Sequence, residues 1–189
     1  WNLAGNGSGG PLDVTAFLGK PDNIVSVWKW IAGGSRWAFY TPSMSAQALA
    51  DYAANKGYDV LTTINGGEGY WVNAKTAFQS PLPNGAAVSS TSYQTGLAAG
   101  WNLIAIGDGQ TPRQFNNAIG PTQAATGTIP ANLTSLWTWD AAKAGWYFYA
   151  PELDAQGGTV LGDYIAGKNY LDFGAKVLDL VTGFWVNKR

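Results

Sequence analysis

Tryptophan and tyrosine are the side chains in this sequence best suited to bind a ligand. They number 10 and 9 among 189 residues. Their flat apolar rings match the C–H faces of sugar rings, and neighbouring amides and carboxylates can then bind the hydroxyl groups. The tryptophans follow the pattern W-x-W and then W-x-F-Y-x-P, which begins at Trp28 and again at Trp137. The sequence therefore suggests sugar binding by stacked aromatic rings, wherever such rings reach the surface.

The repeated pattern is part of an internal duplication that spans nearly the whole chain. All ten tryptophans fall at five matched positions, namely Trp1/Trp101, Trp28/Trp137, Trp30/Trp139, Trp37/Trp146 and Trp71/Trp185. We assign residues 1–75 to the first copy, 76–100 to a connecting segment and 101–189 to the second copy. Because tryptophan is rare, this matched spacing predicts that the two copies share one fold.

Each W-x-W pattern predicts a β-hairpin, in which alternate residues of a strand share a face of the sheet. In the first hairpin one face carries Trp28, Trp30 and Trp37, and the other carries Lys29 and Tyr40. We predict that the tryptophan face is core, because each copy needs large side chains at its centre and tryptophan is usually well buried. The opposite face is then expected to reach solvent.

Six residues on or near the predicted exposed surface are the candidates for ligand binding. They are Tyr40, Tyr147, Tyr149, Lys29, Asn73 and Asn187. The tyrosines would stack on sugar rings, while the ammonium and the two amides would bind hydroxyl groups. The alternative for the asparagines is that each amide satisfies neighbouring backbone groups, as such side chains commonly do.

The composition argues against most kinds of catalytic site. The sequence has no cysteine and no histidine, which removes thiol nucleophiles, thiolate metal sites and imidazole bases. Its only glutamates, Glu68 and Glu152, match Thr182 and Ser43 in the other copy, so no duplicated carboxylate pair suggests a glycosidase. The glycine-rich stretch 65–69 lacks the lysine of a phosphate loop and is predicted to be a tight turn. We expect no catalytic residue, no cofactor and no metal site.

The charge and the hydropathy of the chain restrict the kinds of partner that it is expected to bind. The 11 basic and 12 acidic side chains are scattered singly, so we expect no nucleic-acid partner. No apolar stretch is long enough to cross a bilayer, so we expect no membrane insertion. Low charge with many small polar residues is typical of a secreted β-rich module, and the chain opens on Trp1 rather than on methionine. We therefore expect a processed product or a piece of a larger secreted protein.

The elements that must position the tryptophans form a mainly β fold with short helices, an α+β arrangement of two antiparallel β-rich copies in tandem. In each copy we predict an opening strand, a short helix, the hairpin, a second helix and two closing strands. The second helices are predicted over 45–56 and 160–168, with Gly57 and Asn169 at their left-handed ends.

The segments outside the matched elements are predicted separately. Within the connecting segment, 78–82 and 87–93 are predicted to be strands that tie the copies together, because long structureless connections are uncommon in compact proteins. An insertion in the second copy, within 121–131, is rich in glycine, threonine and proline and is predicted to be a surface loop.

The opening G-W-N-L, the V-W-x-W hairpin, W-x-F-Y-x-P and the closing G-[FY]-W-V-N together resemble a tandem tryptophan-rich repeat module of secreted and cell-surface proteins of bacteria and archaea. The first copy departs from the pattern with Ile31, where the second copy has Asp140. The resemblance implies a repeat architecture and an extracellular or cell-surface location, and it implies no catalytic residues.

These observations favour a non-catalytic extracellular binding module whose partner is a polysaccharide or a cell-surface glycan. One alternative is a surface-structural or adhesion domain with a protein partner, and another is a glycan-active enzyme. A row of exposed aromatic rings would favour the glycan. Two carboxyl groups facing each other in a cleft would favour the enzyme.

Overall fold

The two copies form two five-stranded sheets in the computed structural model, which describes residues 1–120 and 125–189. The strands of the first sheet are β1 (Asn2–Gly5), β3 (Ile24–Ile31), β4 (Arg36–Tyr40), β5 (Asp59–Val60) and β7 (Gly69–Ala74). Those of the second are β8 (Gly100–Ala105), β9 (Leu133–Asp140), β10 (Gly145–Tyr149), β11 (Leu171–Asp172) and β12 (Gly183–Lys188). A small separate ladder joins β2 (Leu12–Asp13) to β6 (Thr63–Ile64).

The two sheets have the same strand order, which is β1-β7-β3-β4-β5 in the first and β8-β12-β9-β10-β11 in the second. All pairs are antiparallel except the parallel edge pairs β4–β5 and β10–β11. The register is also matched, since Trp28 lies opposite Phe39 and Trp71. Trp137 has the corresponding partners in the second copy. The predicted α+β fold class, with two copies of one β-rich unit, is confirmed.

Within residues 1–120 and 125–189, five short helices lie between the strands: α1 (Val14–Leu18), α2 (Ala46–Lys56), α3 (Pro112–Ala118), α4 (Pro151–Asp154) and α5 (Val160–Gly167). The predicted ends of the second helices are confirmed. Helix α2 ends at Gly57, which has a positive φ of 71°, and Asn169 follows α5 with a φ of 56°. Both residue types tolerate this left-handed conformation. No helix among the described residues is long and apolar enough to cross a membrane.

The larger part of the hydrophobic core of each copy lies on the sheet face opposite the tryptophans. In the first copy Val27, Tyr40 and Val72 are buried on that face beneath Val14 and Leu18 of α1. A smaller cluster lies on the tryptophan face, where Phe148 and Ile165 of the second copy are buried against Trp137. The predicted sharing of faces is confirmed, but the prediction that the tryptophan face is the core is wrong. The physical reason is that α1 and the β2–β6 ladder bring aliphatic side chains to the other face, and these pack closely with valine and tyrosine.

The connecting segment ties the copies together without forming the predicted strands. Residues 78–82 are irregular, and 87–93 contain a single β-bridge at Ala87 and a 3-10 helix, Ser90–Tyr93. Val88 is hydrogen-bonded to both copies, since its N–H donates to Gly7 and its carbonyl accepts from Gly107. One residue of the segment thus bridges the two halves. Of the predicted surface loop within 121–131, residues 125–131 are mostly exposed turn, and 121–124 lie outside the described residues.

The copies also meet directly through two reciprocal contacts. Ala4 forms a β-bridge with Thr182, and Ile104, the counterpart of Ala4, forms one with Glu68, the counterpart of Thr182. Gly183 allows this approach, because a Cβ atom there would lie 2.1 Å from the carbonyl oxygen of Ala4. The exchange of equivalent contacts indicates that a pseudo-two-fold axis relates the copies.

The placement of the core can be tested with one residue from each of the paired strands β8 and β12. Phe184 of β12 is fully buried, whereas Trp101 of β8 is 43% exposed. We expect Phe184→Ala to lower the free energy of unfolding by about 3–5 kcal/mol, because it leaves a large cavity. We expect Trp101→Ala to lower it by no more than about 1 kcal/mol, as for surface substitutions. Urea denaturation of both variants measures the difference, and equal losses would contradict the placement.

Alkaline pH should weaken the fold through buried tyrosines. Burial raises the pKa of Tyr70 to about 12, and burial together with the charge of Glu68 raises the pKa of Tyr93. Since both values exceed the unfolded pKa of about 10, the unfolded chain loses these protons first. We expect the contribution of these two tyrosines to the free energy of unfolding to be constant below about pH 10 and to be lost progressively between pH 10 and about 12.

Denaturation at a series of pH values, with tyrosinate absorbance followed in parallel, checks this expectation. Tyr70→Phe is the matched control, because it keeps the ring and removes the ionisable hydroxyl. Its stability should fall less steeply over the same pH range. An identical fall in the wild type and the variant would show that Tyr70 does not contribute.

Candidate functional site

Two clefts between the copies are lined almost entirely by tryptophans. The first cleft has a volume of about 500 Å³, and the first copy lines it with Trp1, Trp28, Trp37, Tyr58 and Trp71. The second copy completes it with Trp139 and Trp146.

The second cleft, of about 530 Å³, has the equivalent lining with the roles of the copies exchanged. The second copy lines it with Trp101, Trp137, Trp146, Tyr170 and Trp185. The first copy completes it with Trp30 and Trp37. All ten tryptophans therefore line one cleft or the other, and Trp37 and Trp146 line both.

None of the ten tryptophans is buried, although all of them lie in the described ranges. Trp1 and Trp101 are 57% and 43% exposed, and the other eight are partly buried. The expectation that tryptophans at matched positions fill the core is therefore wrong. Their rings lie on the sheet faces where the two copies meet, and many of them pack against each other.

Edge-to-face contacts hold the indole rings in place. Within each copy, Trp30 lies 5.2 Å from Trp37 between ring centroids, and Trp139 lies 5.3 Å from Trp146. Between the copies, Trp185 lies 5.9 Å from Trp37, and the equivalent pair in the first cleft, Trp71 and Trp146, is 5.8 Å apart. Aromatic rings prefer such edge-to-face contacts over direct overlap, so the cleft walls are preorganised.

Reciprocal hydrogen bonds fix the rims of the two clefts. The indole N–H of Trp30 donates to the carbonyl of Trp101 (2.9 Å), and that of Trp139 donates to the carbonyl of Trp1 (3.2 Å). These bonds involve the main chain of the acceptor, so they survive a change of its side chain. Each one joins the hairpin of one copy to the opening strand of the other.

Six of the ten indole N–H groups have no hydrogen-bond acceptor within the described residues. They belong to Trp1, Trp37, Trp71, Trp101, Trp146 and Trp185, all of which line a cleft. No charged side chain is among the lining residues of either cleft. The clefts therefore offer apolar ring faces and neutral donors, which suit an uncharged ligand with an apolar face and polar edges.

The three tyrosines predicted to reach the surface are buried instead. Tyr40, Tyr147 and Tyr149 are only 9%, 7% and 5% exposed. The expectation that these side chains reach solvent is therefore wrong. The hydroxyl of Tyr149 donates to Asp154 (2.9 Å), which also pairs with Arg113. Burial and then this hydrogen bond raise the pKa of Tyr149.

Tyr147 has a comparable internal role. Its hydroxyl accepts a hydrogen bond from the ammonium of Lys143 (2.8 Å). This hydrogen bond raises the pKa of Lys143, whose side chain is otherwise exposed to solvent.

The other predicted site residues lie outside the linings of the two clefts. The side chain of Lys29 is only 12% exposed and forms an ion pair with Glu68 (2.8 Å). Its ammonium is therefore engaged inside the protein. Asn73 and Asn187 share the tryptophan faces of their strands, two residues beyond Trp71 and Trp185. Among the described residues, no three carboxylates lie close enough together to hold a metal ion.

Comparisons with known proteins assign the chain to no family. Searches of protein-family models, of curated proteins and of solved structures returned no match. The site has to be interpreted from its own geometry.

One signal in the sequence could have located the clefts. The face opposite the tryptophans is also apolar at matched positions, for instance Val27/Leu136 and Val72/Val186. Such aliphatic residues pack into a core more easily than a row of indole rings. The sequence analysis also missed Tyr58 and Tyr170, which line the clefts at matched positions.

The buried position of Tyr149 leads to a direct test. We expect Tyr149→Ala to lower the free energy of unfolding by about 3–5 kcal/mol, as for other buried aromatic truncations. Tyr149→Phe is the matched control, because it keeps the ring and removes only the hydrogen bond to Asp154, at a cost of about 1–3 kcal/mol. Thermal or urea denaturation measures both values. A negligible effect of Tyr149→Ala on the free energy of unfolding would contradict the buried position of this side chain.

Proposed function

We propose that this chain is a non-catalytic binding module whose two tryptophan clefts bind carbohydrate. The observation that carries the proposal is the position of the tryptophans, all ten of which line two equivalent clefts and none of which is buried. Large exposed apolar patches usually mark interaction sites, because leaving such surface in water is costly. A chain that exposes its largest apolar side chains in this way gains a binding surface in return.

The shape of the clefts favours a small or chain-like ligand over a flat protein surface. Their volumes, about 500 and 530 Å³, fall in the range of about 300–1,000 Å³ that is typical of small-molecule sites. Standard protein interfaces instead bury about 800 Å² on each partner over a broad area. One or a few sugar rings of a polysaccharide would fit the concave geometry.

The chemistry of the linings supports the same class of ligand. Indole faces would stack on the C–H faces of pyranose rings, and the free indole N–H groups would donate to ring or hydroxyl oxygens. The absence of charge from both linings suits neutral sugars. Binding should therefore depend little on salt, since no charged pair is available to be screened.

A protein partner is the second candidate function. Aromatic grooves with free indole donors also suit extended proline-rich segments, which offer apolar rings and unpaired carbonyl groups. The chain would then be a surface-structural or adhesion domain. The clefts would be the contact surface in both cases, so the choice of ligand decides between the two functions.

The proposed location is extracellular or at the cell surface, as part of a larger secreted protein. The resemblance to the tryptophan-rich repeat module and the low charge of the chain support this location, with 11 basic and 12 acidic side chains among 189 residues.

The two clefts provide an internal control for the binding test. Trp1 lines only the first cleft and Trp101 only the second, and both are well exposed. Isothermal titration with a panel of cellotetraose, xylotetraose, mannotetraose, chitotetraose and maltotetraose should give two sites in the wild type. Trp1→Ala and Trp101→Ala should each weaken one site about fivefold, for a lost stacking contact worth about 1 kcal/mol. The double variant should be weakened at both sites.

Met44→Ala is the matched control, because it removes an exposed apolar side chain outside the clefts. Unchanged affinity in the double variant would reject the clefts as the site. Failure of every oligosaccharide to bind, together with binding of a polyproline peptide, would favour the adhesion function. A steep loss of affinity between low and moderate salt would reject stacking as the mechanism.

A further inference from the structure

A polar recess opens beside the first cleft. The residues at the matched positions beside the second cleft are of different types. It has a volume of about 320 Å³, and its polar lining includes Asn2, Asp140, Lys176 and Asp179. Trp139 lines both the recess and the first cleft, so the two cavities are adjacent. Asp140 and Tyr147 lie on the opposite face of the β9–β10 hairpin from Trp139. A ligand that occupies both cavities would therefore extend around the side chain of Trp139, from an aromatic surface to a polar one.

The two carboxylates of the recess are held by the surrounding chain. Oδ1 of Asp140 accepts hydrogen bonds from the backbone N–H groups of Ala142 (3.0 Å) and Lys143 (3.1 Å). Oδ1 of Asp179 accepts from the N–H of Val181 (3.1 Å) and the hydroxyl of Thr182 (2.7 Å). In each case the bonds fix one oxygen and thereby orient the carboxylate.

The second oxygen of each carboxylate is available. Oδ2 of Asp140 has only long contacts, 3.5 Å to the hydroxyl of Tyr147 and 4.0 Å to the ammonium of Lys143. Oδ2 of Asp179 has no hydrogen-bond donor within the described residues. Preorganised acceptors of this kind bind a ligand hydroxyl without first paying for their own ordering.

Positive charge balances the recess. The ammonium of Lys176 lies 5.3 Å from the ring centroid of Tyr147, and that of Lys143 lies 5.2 Å from the same ring. Two carboxylates next to two ammonium groups give little net charge. The recess therefore suits a neutral ligand that both donates and accepts hydrogen bonds, which is the property of sugar hydroxyls.

The matched positions of the first copy have different chemistry. Ile31 stands in place of Asp140, and Lys29 and Glu68 stand in place of Thr138 and Thr182. Lys29 and Glu68 form an ion pair with each other (2.8 Å), and the N–H of Asn65 donates to Glu68. These charges are paired within the protein, so they are not free to bind a ligand at the second cleft.

We propose that the recess is a second subsite of the first cleft, which binds the hydroxyl groups of the next sugar of a neutral oligosaccharide and makes the two clefts unequal. This inference rests on the proposed carbohydrate-binding function. It assigns the roles of hydrogen-bond acceptors to Asp140 and Asp179 and that of a donor to Lys176. The second cleft binds by its aromatic walls alone.

The experiment uses two variants that each keep one unmodified cleft. Trp101→Ala keeps the first cleft with its recess, and Trp1→Ala keeps the second cleft. For the tetrasaccharide that the wild type binds best, the unmodified cleft of Trp101→Ala should bind about tenfold more tightly than that of Trp1→Ala, as expected for charge-assisted hydrogen bonds. Isothermal titration of both variants measures the ratio.

Substitution of the carboxylates then tests the recess itself. Asp140→Asn with Asp179→Asn keeps the oxygen that accepts from the backbone and replaces the free one by an amide nitrogen. The pair should weaken binding about tenfold in the Trp101→Ala background and leave it unchanged in the Trp1→Ala background. Asp22→Asn is the control for the loss of an exposed negative charge outside the recess.

The outcomes separate this inference from the proposed function. Equal affinities of the two clefts, with no effect of the asparagine substitutions, would overturn the recess and leave carbohydrate binding at the clefts intact. Failure of every tetrasaccharide to bind the wild type would overturn both. Release of reducing ends by the wild type but not by Asp140→Asn would show catalysis, and would overturn both the non-catalytic function and the binding role of the recess.

Discussion

The reciprocal packing of tryptophans across the pseudo-two-fold axis is the interaction on which the rest of the structure depends. Each sheet packs the larger part of its core on one face, and the other face is only partly covered by α2 or α5. The tryptophans on that second face therefore need a partner. The other copy supplies that partner, with indole rings at centroid distances of 5.8 and 5.9 Å and with hydrogen bonds from Trp30 and Trp139 to the opposite opening strands. Neither copy can form a cleft alone, because each cleft takes two tryptophans from the other.

This arrangement explains why the copies are joined so closely at their opening strands. The contacts of Gly183 with Ala4, and of Val88 with both Gly7 and Gly107, bring the edges of the two sheets together and set the spacing between the indole rings. A wider separation would open the clefts into flat surfaces, and a tighter one would bury the rings. The backbone junction therefore determines how far the aromatic residues are buried between the copies.

The two clefts of the duplicated fold are similar, but the residues around them are different. The aromatic linings match at every position, whereas the polar residues next to them do not. In the first copy Lys29 and Glu68 neutralise each other, while in the second Asp140 and Asp179 retain free oxygen atoms beside Trp139. The shared aromatic surface would then provide affinity and the unequal polar residues would provide selectivity.

Local spacing and backbone preference were enough to predict the duplication, the α+β class, the left-handed residues Gly57 and Asn169 at the helix ends, and the sets of residues that share a sheet face. They did not show which face is the core. Both faces of each hairpin are apolar, and only tertiary packing places α1 on the side of Val27 and Tyr40 and the other copy on the side of Trp28. The clefts and the recess bring together residues from distant parts of the chain, so their location depends on the contact between the two copies.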